Sequence, residues 1–337
     1  MEVTLIPGLH DKVSRIGFGC AAIGGYDYGR VDDTESIAAV HAALDCGINL
    51  FDTADVYGFG HSEEVLGRAL AKTSAHAVVA TKVGVRWSDT GSTSRDVSPE
   101  YIRRAVEASL RRLRRDRIDL YQIHWPDPKT PLSETIGVLT DLVAEGKVRA
   151  IGSCNFDSTT LRSALLLQPP AGPSLSTSQL SINVGERRFI ADAAEAQSLG
   201  LTTLAYNVLA QGLYGGNYGR ETKFTGTDLR RRSAMFEGRG LELHLAVLAR
   251  LRSIAEKLGV SSSQVAVRWA LDASPVDIAL IGLKKPSQVV DVVRSSAWKL
   301  PQTDIDQLAS IPAFDLDSFN VDASRTRPDV ADSSSLA

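Results

Sequence analysis

Ile48-Asn49-Leu50-Phe51-Asp52-Thr53-Ala54-Asp55-Val56-Tyr57-Gly58 begins as a short apolar run and breaks into a polar loop. An apolar run of this length, closed by turn residues, reads as a buried strand. Asp52 then falls at the strand's exit and Tyr57 one loop beyond it, so a carboxylate and a phenol leave the core together. A phenol by itself has a pKa near 10, and its usefulness for proton transfer depends on what other strands place beside it. The fold depends on whether this strand-and-loop unit repeats.

It does repeat. Upstream, residues 13–19 read as a strand. A helix follows Asp32, with Glu35 three residues on and Ile37, Val40 and Leu44 along one face, and stops at Gly47. Downstream, strands over 77–82, 118–124, 148–154, 175–180, 201–206 and 277–281 alternate with helices near 62–71, 98–114, 130–146, 158–167, 187–198 and 286–295. The helix from Ser98 shows the logic: Ser caps, Pro99 opens the first turn, Glu100 complements the dipole, and Ile102, Val106, Leu110 and Leu113 make an apolar stripe. Its other face is arginine (Arg103, Arg104, Arg111, Arg112, Arg114, with Arg115 beyond), read as a solvated face. Eight parallel β/α units close a (β/α)8 TIM barrel. Two extra helices, near 241–258 and after Ser261, precede the last strand, and a long Gly- and Arg-rich loop over 210–240 follows the seventh, placed to cover a ligand. Residues 1–311 are expected to form one barrel domain, and residues 312–337 a polar tail that is partly disordered.

One motif points elsewhere. Gly17-Phe18-Gly19-Cys20-Ala21-Ala22 fits G-x-G-x-x-A after a strand. A dinucleotide fingerprint must run directly into a helix, and Gly24-Gly25-Tyr26-Asp27-Tyr28-Gly29 has the punctuation of a loop.

Composition narrows the partners. The chain has 337 residues, 43% hydrophobic and 23% charged, with a formal net charge of -3. That balance gives no overall attraction to nucleic acid or anionic membrane. Three well-separated cysteines, Cys20, Cys46 and Cys154, suit a reducing cytoplasm and give neither a disulfide framework nor a zinc spacing. No apolar run approaches the ~20 residues of a membrane span. A cytoplasmic protein without metal, nucleic-acid or membrane partners is expected, its oligomeric state left open.

In such a barrel the strand exits converge on one face. They carry Asp52 with Tyr57, then Thr81-Lys82, His124-Trp125 and Ser153-Cys154-Asn155. Singly, Asp52 reads equally as a loop cap, Lys82 as a surface ion-pair partner and His124 as a core histidine. Together they are a carboxylate, lysine, phenol and imidazole within mutual reach.

Phe51-Asp52-Thr53-Ala54-Asp55-Val56-Tyr57-Gly58, Ser62-Glu63-Glu64-Val65-Leu66-Gly67, Ala80-Thr81-Lys82, Asp119-Leu120-Tyr121-Gln122-Ile123-His124 and Gly152-Ser153-Cys154-Asn155-Phe156, in this order, closely resemble the aldo-keto reductases. The resemblance implies a barrel that binds a nicotinamide cofactor, usually NADPH (NADP+), and a catalytic tetrad of Asp52, Tyr57, Lys82 and His124. A carbonyl taking hydride at carbon develops charge on oxygen and needs a donor aimed there. Tyr57 is expected to supply that proton, Lys82 paired with Asp52 to lower its pKa, and His124 to orient the carbonyl.

The resemblance also places Asn155 and Gln179 on the nicotinamide carboxamide, Tyr206 against its ring, and Leu209, Gln211 and Gly212 along the cofactor. Cys154 stands at the usual serine, a weaker donor that Ser153 is placed to supplement. Gly282, Lys284, Lys285 and Gln288 resemble the segment holding the adenosine phosphate, two lysines near a helix start suiting a 2′-phosphate. Tyr26, Trp87 and Trp125 are the expected substrate walls. The three arginines Arg230 to Arg232 suggest a phosphorylated or nucleotide-linked sugar. Reduction of an aldehyde or ketone is the activity implied. An NAD(P)-dependent sugar or alcohol dehydrogenase working oxidatively, or a low-turnover redox-sensing subunit, are the alternatives.

Overall fold

The computed structural model describes residues 1–88, 91–168, 172–216 and 218–313. Eight parallel strands close on themselves: β3 (Ile16–Gly19), β4 (Leu50–Asp52), β5 (Val78–Val83), β8 (Ile118–Ile123), β9 (Val148–Cys154), β10 (Leu175–Ser181), β11 (Thr202–Tyr206) and β12 (Ile278–Gly282), with β12 pairing back onto β3. This is the expected (β/α)8 barrel. Helices α1 (Asp33–Asp45), α2 (His61–Leu70), α3 (Pro99–Leu113), α4 (Leu132–Ala144), α5 (Ser158–Leu166), α6 (Ile190–Ser198), α8 (Ser262–Asp272) and α9 (Pro286–Val293) surround it. The long α7 (Gly238–Leu258) and a terminal α10 (Gln302–Ala309) are additions, and α10 was not anticipated. The tail expected to be partly disordered lies, beyond residue 313, outside the described residues.

The helix ends follow their caps. Asp32 accepts from the Thr34 amide, Asp157 from Thr160, and Ser98 from Tyr101, while Arg114 closes α3 in the left-handed conformation at φ 56°. The expected strand over 13–19 is broken at Arg15 into β2 (Lys12–Ser14) and β3. The Arg15 guanidinium bridges the break by donating to the carbonyls of Asp277, Leu271 and Val276. β2 pairs antiparallel with β1 (Val3–Leu5), and this hairpin brings Ile6, Leu9 and Val13 against Leu50, Val78, Leu120, Leu204 and Leu280 inside the barrel's lower mouth. Each such burial is worth roughly 1.5–3 kcal/mol.

The glycines of the dinucleotide-like motif serve the barrel instead. A Cβ on Gly17 would lie 2.6 Å from Leu280 Cδ2, and one on Gly19 3.2 Å from the Ile281 backbone. The chain then makes one 3-10 turn, Cys20–Ile23, and no helix begins until Asp33. A second hairpin, β6 (Val85–Trp87) with β7 (Thr93–Arg95), rises from the C-terminal end of β5, where the sequence showed only a loop. Among the described residues no helix is long and apolar enough to cross a membrane, and no group of His, Cys, Asp and Glu is arranged to hold a metal ion.

Candidate active site

Strand register assembles the site. Asp52, last on β4, stands between Gly19 and Ala80, and Lys82 lies two residues beyond Ala80 on the same face of β5. Lys82 Nζ donates to Asp52 Oδ2 at 2.5 Å and to the Thr53 carbonyl at 2.9 Å. Both side chains are buried, and removing one partner of such a pair typically costs about 3–5 kcal/mol.

The second carboxylate oxygen of Asp52 accepts from Gln179 Nε2 at 2.9 Å and Gln122 Nε2 at 3.2 Å. Thr177 in turn donates to Gln122 Oε1, and Cys154 Sγ stands 3.6 Å from Gln179 Oε1. Gly152 makes room for this layer, since a Cβ there would fall 2.1 Å from Thr177 Oγ1. Gln122 and Thr177 were not singled out from sequence. Their signal was present, because polar residues inside otherwise apolar strands need buried partners.

Tyr57 is set by a tight turn. Gly58, Phe59 and Gly60 all take positive φ, and a Cβ on Gly58 would lie 2.0 Å from the Gly24 carbonyl oxygen. The loop therefore locks backbone to backbone against residues 24–25, and only glycine fits. The Tyr57 ring has Lys82 Nζ 5.2 Å from its centroid and the His124 ring edge-on at 5.7 Å.

The phenol is not lowered in pKa, contrary to expectation. Burial pushes it well above 10, with the Asp52 charge adding to the effect. The physical reason is desolvation, which disfavours the phenolate, and the Asp52 charge nearby disfavours it further. Tyr57 is thereby held protonated. Burial, with Lys82 second, holds His124 well below its ordinary value. A neutral imidazole has one donor and one acceptor nitrogen, and its Nδ1 is buried without a partner among the described residues.

A cleft of about 410 Å³ runs from Asp52 and Tyr57 past Tyr206 to Gly282, Lys284 and Gln288. Of the cofactor residues expected, Tyr206, Leu209, Gln211, Gly212, Gly282, Lys284 and Gln288 line it. Asn155, in left-handed conformation at φ 60°, accepts from the Tyr206 hydroxyl at 2.8 Å and donates to the His124 carbonyl at 3.0 Å. It thus ties the expected stacking ring to the imidazole strand.

Gln179 and Cys154 lie in the buried floor, and burial pushes the Cys154 thiol up to about 12. Ser153 does not supplement it: its hydroxyl donates to the Thr177 carbonyl at 3.3 Å. Lys285 turns to Glu35 at 3.4 Å, so the two lysines part ways, while Gln288 accepts from both their amides. Asn207 at φ 62° accepts from the Gln211 amide at 2.9 Å, an arrangement asparagine tolerates better than most residues. Buried Glu186, bonded to Ser181 and 3.4 Å from Arg188, lines the same cleft and was not foreseen.

The expected substrate walls divide. Tyr26 packs on Phe59 at 4.7 Å and Phe59 on Trp87 at 6.3 Å, one continuous aromatic surface, while Trp125 lies under the Arg95 guanidinium. The 210–240 segment crosses the cleft as a strap. Leu229 N donates to the Asp27 carbonyl and Thr227 to that of Tyr26. Arg230 is buried, paired twice with Asp228 and stacked on Phe224, Tyr218 and Tyr28 at 4.3, 4.9 and 5.4 Å. Arg230 latches the strap from the cleft wall, and Arg231 donates to the Gly226 carbonyl.

Comparison with known proteins gives a concordant result. The model of the "Aldo/keto reductase family" matches residues 15–313. The chain is 38% identical over 308 residues, 90% of its length and 91% of the relative's, to "Aldo-keto reductase YhdN" of Bacillus subtilis (strain 168). It is 32% identical, over 87% and 92% of the two lengths, to the "NADH-specific methylglyoxal reductase" of Escherichia coli (strain K12). The solved glycerol dehydrogenase AKR11B4 from Gluconobacter oxydans superposes with a TM-score of 0.83 at 40% identity, covering 99% of each chain.

Proposed function

Since the chain belongs to the aldo/keto reductase family, and so to oxidoreductases acting on carbonyls or alcohols, we propose that it reduces an aldehyde or ketone using NADPH, with Tyr57 as proton donor. The observation that carries this reading is the buried Asp52–Lys82 pair beneath a protonated Tyr57 flanked by a neutral His124. When bound, the cofactor supplies hydride to the carbonyl carbon. Tyr57 gives its proton to the oxygen as charge develops there, and His124 aligns that oxygen by hydrogen bonding. Asp52 and Lys82 hold the floor on which both sit.

The cleft suits such a cofactor. Gln211 Oε1 is buried in its wall with no donor among the described residues, ready for a hydroxyl or amide. At the other end Lys284 lines the cleft beside the start of α9, where charge and helix dipole favour phosphate. Support for NADPH over NADH is this one lysine, and the NADH-specific relative makes the choice an experimental one.

Fluorescence titration with NADPH and NADH, followed by a carbonyl panel on the same sample, is the test. Tyr57→Phe should keep cofactor binding and lose about 10²–10⁴-fold in turnover. Absence of binding by either cofactor overturns the proposal. The structural likeness to a glycerol dehydrogenase favours a second reading, oxidation of a polyol. The same tyrosine would then act as a base, and its raised pKa predicts oxidation only at alkaline pH.

A further inference from the structure

The arginine face of α3 is not uniformly solvated. Arg103 is matched by Asp141 and Glu145, Arg104 by Glu100, and Arg115 by Asp119. The remaining three, Arg111, Arg112 and Arg114, turn toward α2 and meet Arg68 around a concave volume of about 440 Å³.

Four guanidiniums line this pocket against two carboxylates, Asp33 and Glu64. Asp33 is already engaged twice, by Arg68 and by His61 Nε2 at 2.8 Å. Arg112 Nε donates to buried Glu63 at 2.7 Å. Arg111 and Arg114 have no acidic partner among the described residues, and Arg68 Nε is a buried donor without an acceptor. Guanidiniums gathered in a concavity repel one another, and an unmet buried donor loses the hydrogen bond it had in water. An anion with several oxygens relieves both. The planar forks match phosphate oxygens in pairs, which ammonium groups do not, and the volume exceeds what a single phosphate fills.

We propose that the pocket between α2 and α3 binds a small polyanion of the diphosphate or phosphorylated-metabolite class. It shares no lining residue with the long cleft, so it is a separate site and stands whether or not the cofactor assignment holds. Its position gives it a mechanical link to the chemistry. Arg112 also stands over the Trp87 ring at 5.8 Å, and its Cδ would lie 2.7 Å from a Cβ on Gly60, in the turn that follows Tyr57.

The test is calorimetric titration of the full chain with inorganic pyrophosphate at low and at high salt. One site is expected, weakened by salt. Arg111→Gln with Arg114→Asn should weaken it at least about tenfold, or 1.4 kcal/mol; asparagine is chosen because position 114 is left-handed. Arg111→Gln alone, which leaves that helix cap intact, should give a partial loss. Arg103→Gln with Arg104→Gln removes equal charge from the same helix and should change nothing. The proposal is overturned by no binding at low salt, by equal loss in the Arg103/Arg104 control, or by loss on Lys284→Gln, which would place the anion in the cleft.

Discussion

Asp55, between Asp52 and Tyr57, should make the protein less stable as pH rises, and Asp55→Asn should remove that penalty. The carboxyl is 1% exposed, and neither oxygen has a side-chain hydrogen-bond partner among the described residues. Burial, then the charge of Glu63 on α2, push its pKa well above the ordinary value, opposed by Arg112 on α3, the Val56 amide and Lys82 on β5. Tyr101 and Tyr121 face it from α3 and β8 as neutral phenols whose own values burial raises. Glu63 cannot share its partners, since it holds Thr81 at 2.6 Å and Arg112 at 2.7 Å.

The sign follows from proton counts. Unfolded, Asp55 ionises near pH 3.9, while the native carboxyl stays protonated. Above that pH the native state therefore binds one proton more, and stability falls by about 1.4 kcal/mol per pH unit until the native group ionises. Asparagine has the same shape and no charge. Near pH 4 to 5 the two proteins should unfold at similar urea concentrations. Above that range the variant's advantage should grow along this slope and then level off. Urea unfolding from pH 5 to 8 measures it. Parallel pH dependences, or a variant less stable than the parent at pH 8, would refute the reasoning.

Two buried imidazoles act on the acid side. His124 lies well below its usual value and His244 falls to about 4, both by desolvation. Below about pH 6.5 the unfolded chain takes up two protons that the native state refuses, so stability should drop by up to ~2.7 kcal/mol per unit; His244→Gln should halve that slope in denaturant titrations. Burial raises the Cys20 and Cys154 thiols while Cys46 is only partly buried, so iodoacetamide at pH 8 should label Cys46 alone in the native protein, as read by peptide mass spectrometry. Arg230→Ala removes the latch of the strap, and stopped-flow displacement should show cofactor release accelerating at least about tenfold, 1.4 kcal/mol of lost closure. Unchanged release would mean that the strap does not gate the cleft.

The barrel was legible because eight apolar runs recur with helical stripes between them, and caps such as Asp32 and Ser98 place the helix starts within a residue or two. The positions of Asp52, Lys82 and His124 were legible for the same reason: strand exits are positions a sequence states directly. What escaped was set by side chains reaching across the fold. The Gln122–Gln179–Asp52 layer joins side chains 70 and 127 residues apart in sequence. The Arg230 latch depends on aromatic partners from two loops. The phenol's pKa was misjudged because sequence names its neighbours without saying how completely the ring is desolvated, and burial is the largest cause of its rise. The β6–β7 hairpin, with Thr93-Ser94-Arg95 on one arm, has too little apolar character to announce itself as strand.

The N-terminal hairpin β1–β2 closes the barrel mouth opposite the strand exits that carry Asp52, Lys82 and His124. The two ends answer to different selective demands. At the plugged end, Ile6, Leu9 and Val13 contribute only burial, and any well-packed apolar set of equal volume would do the same work. Substitution there changes how long the molecule survives and leaves what it recognises alone, so a library confined to that end could be screened for endurance by heat challenge.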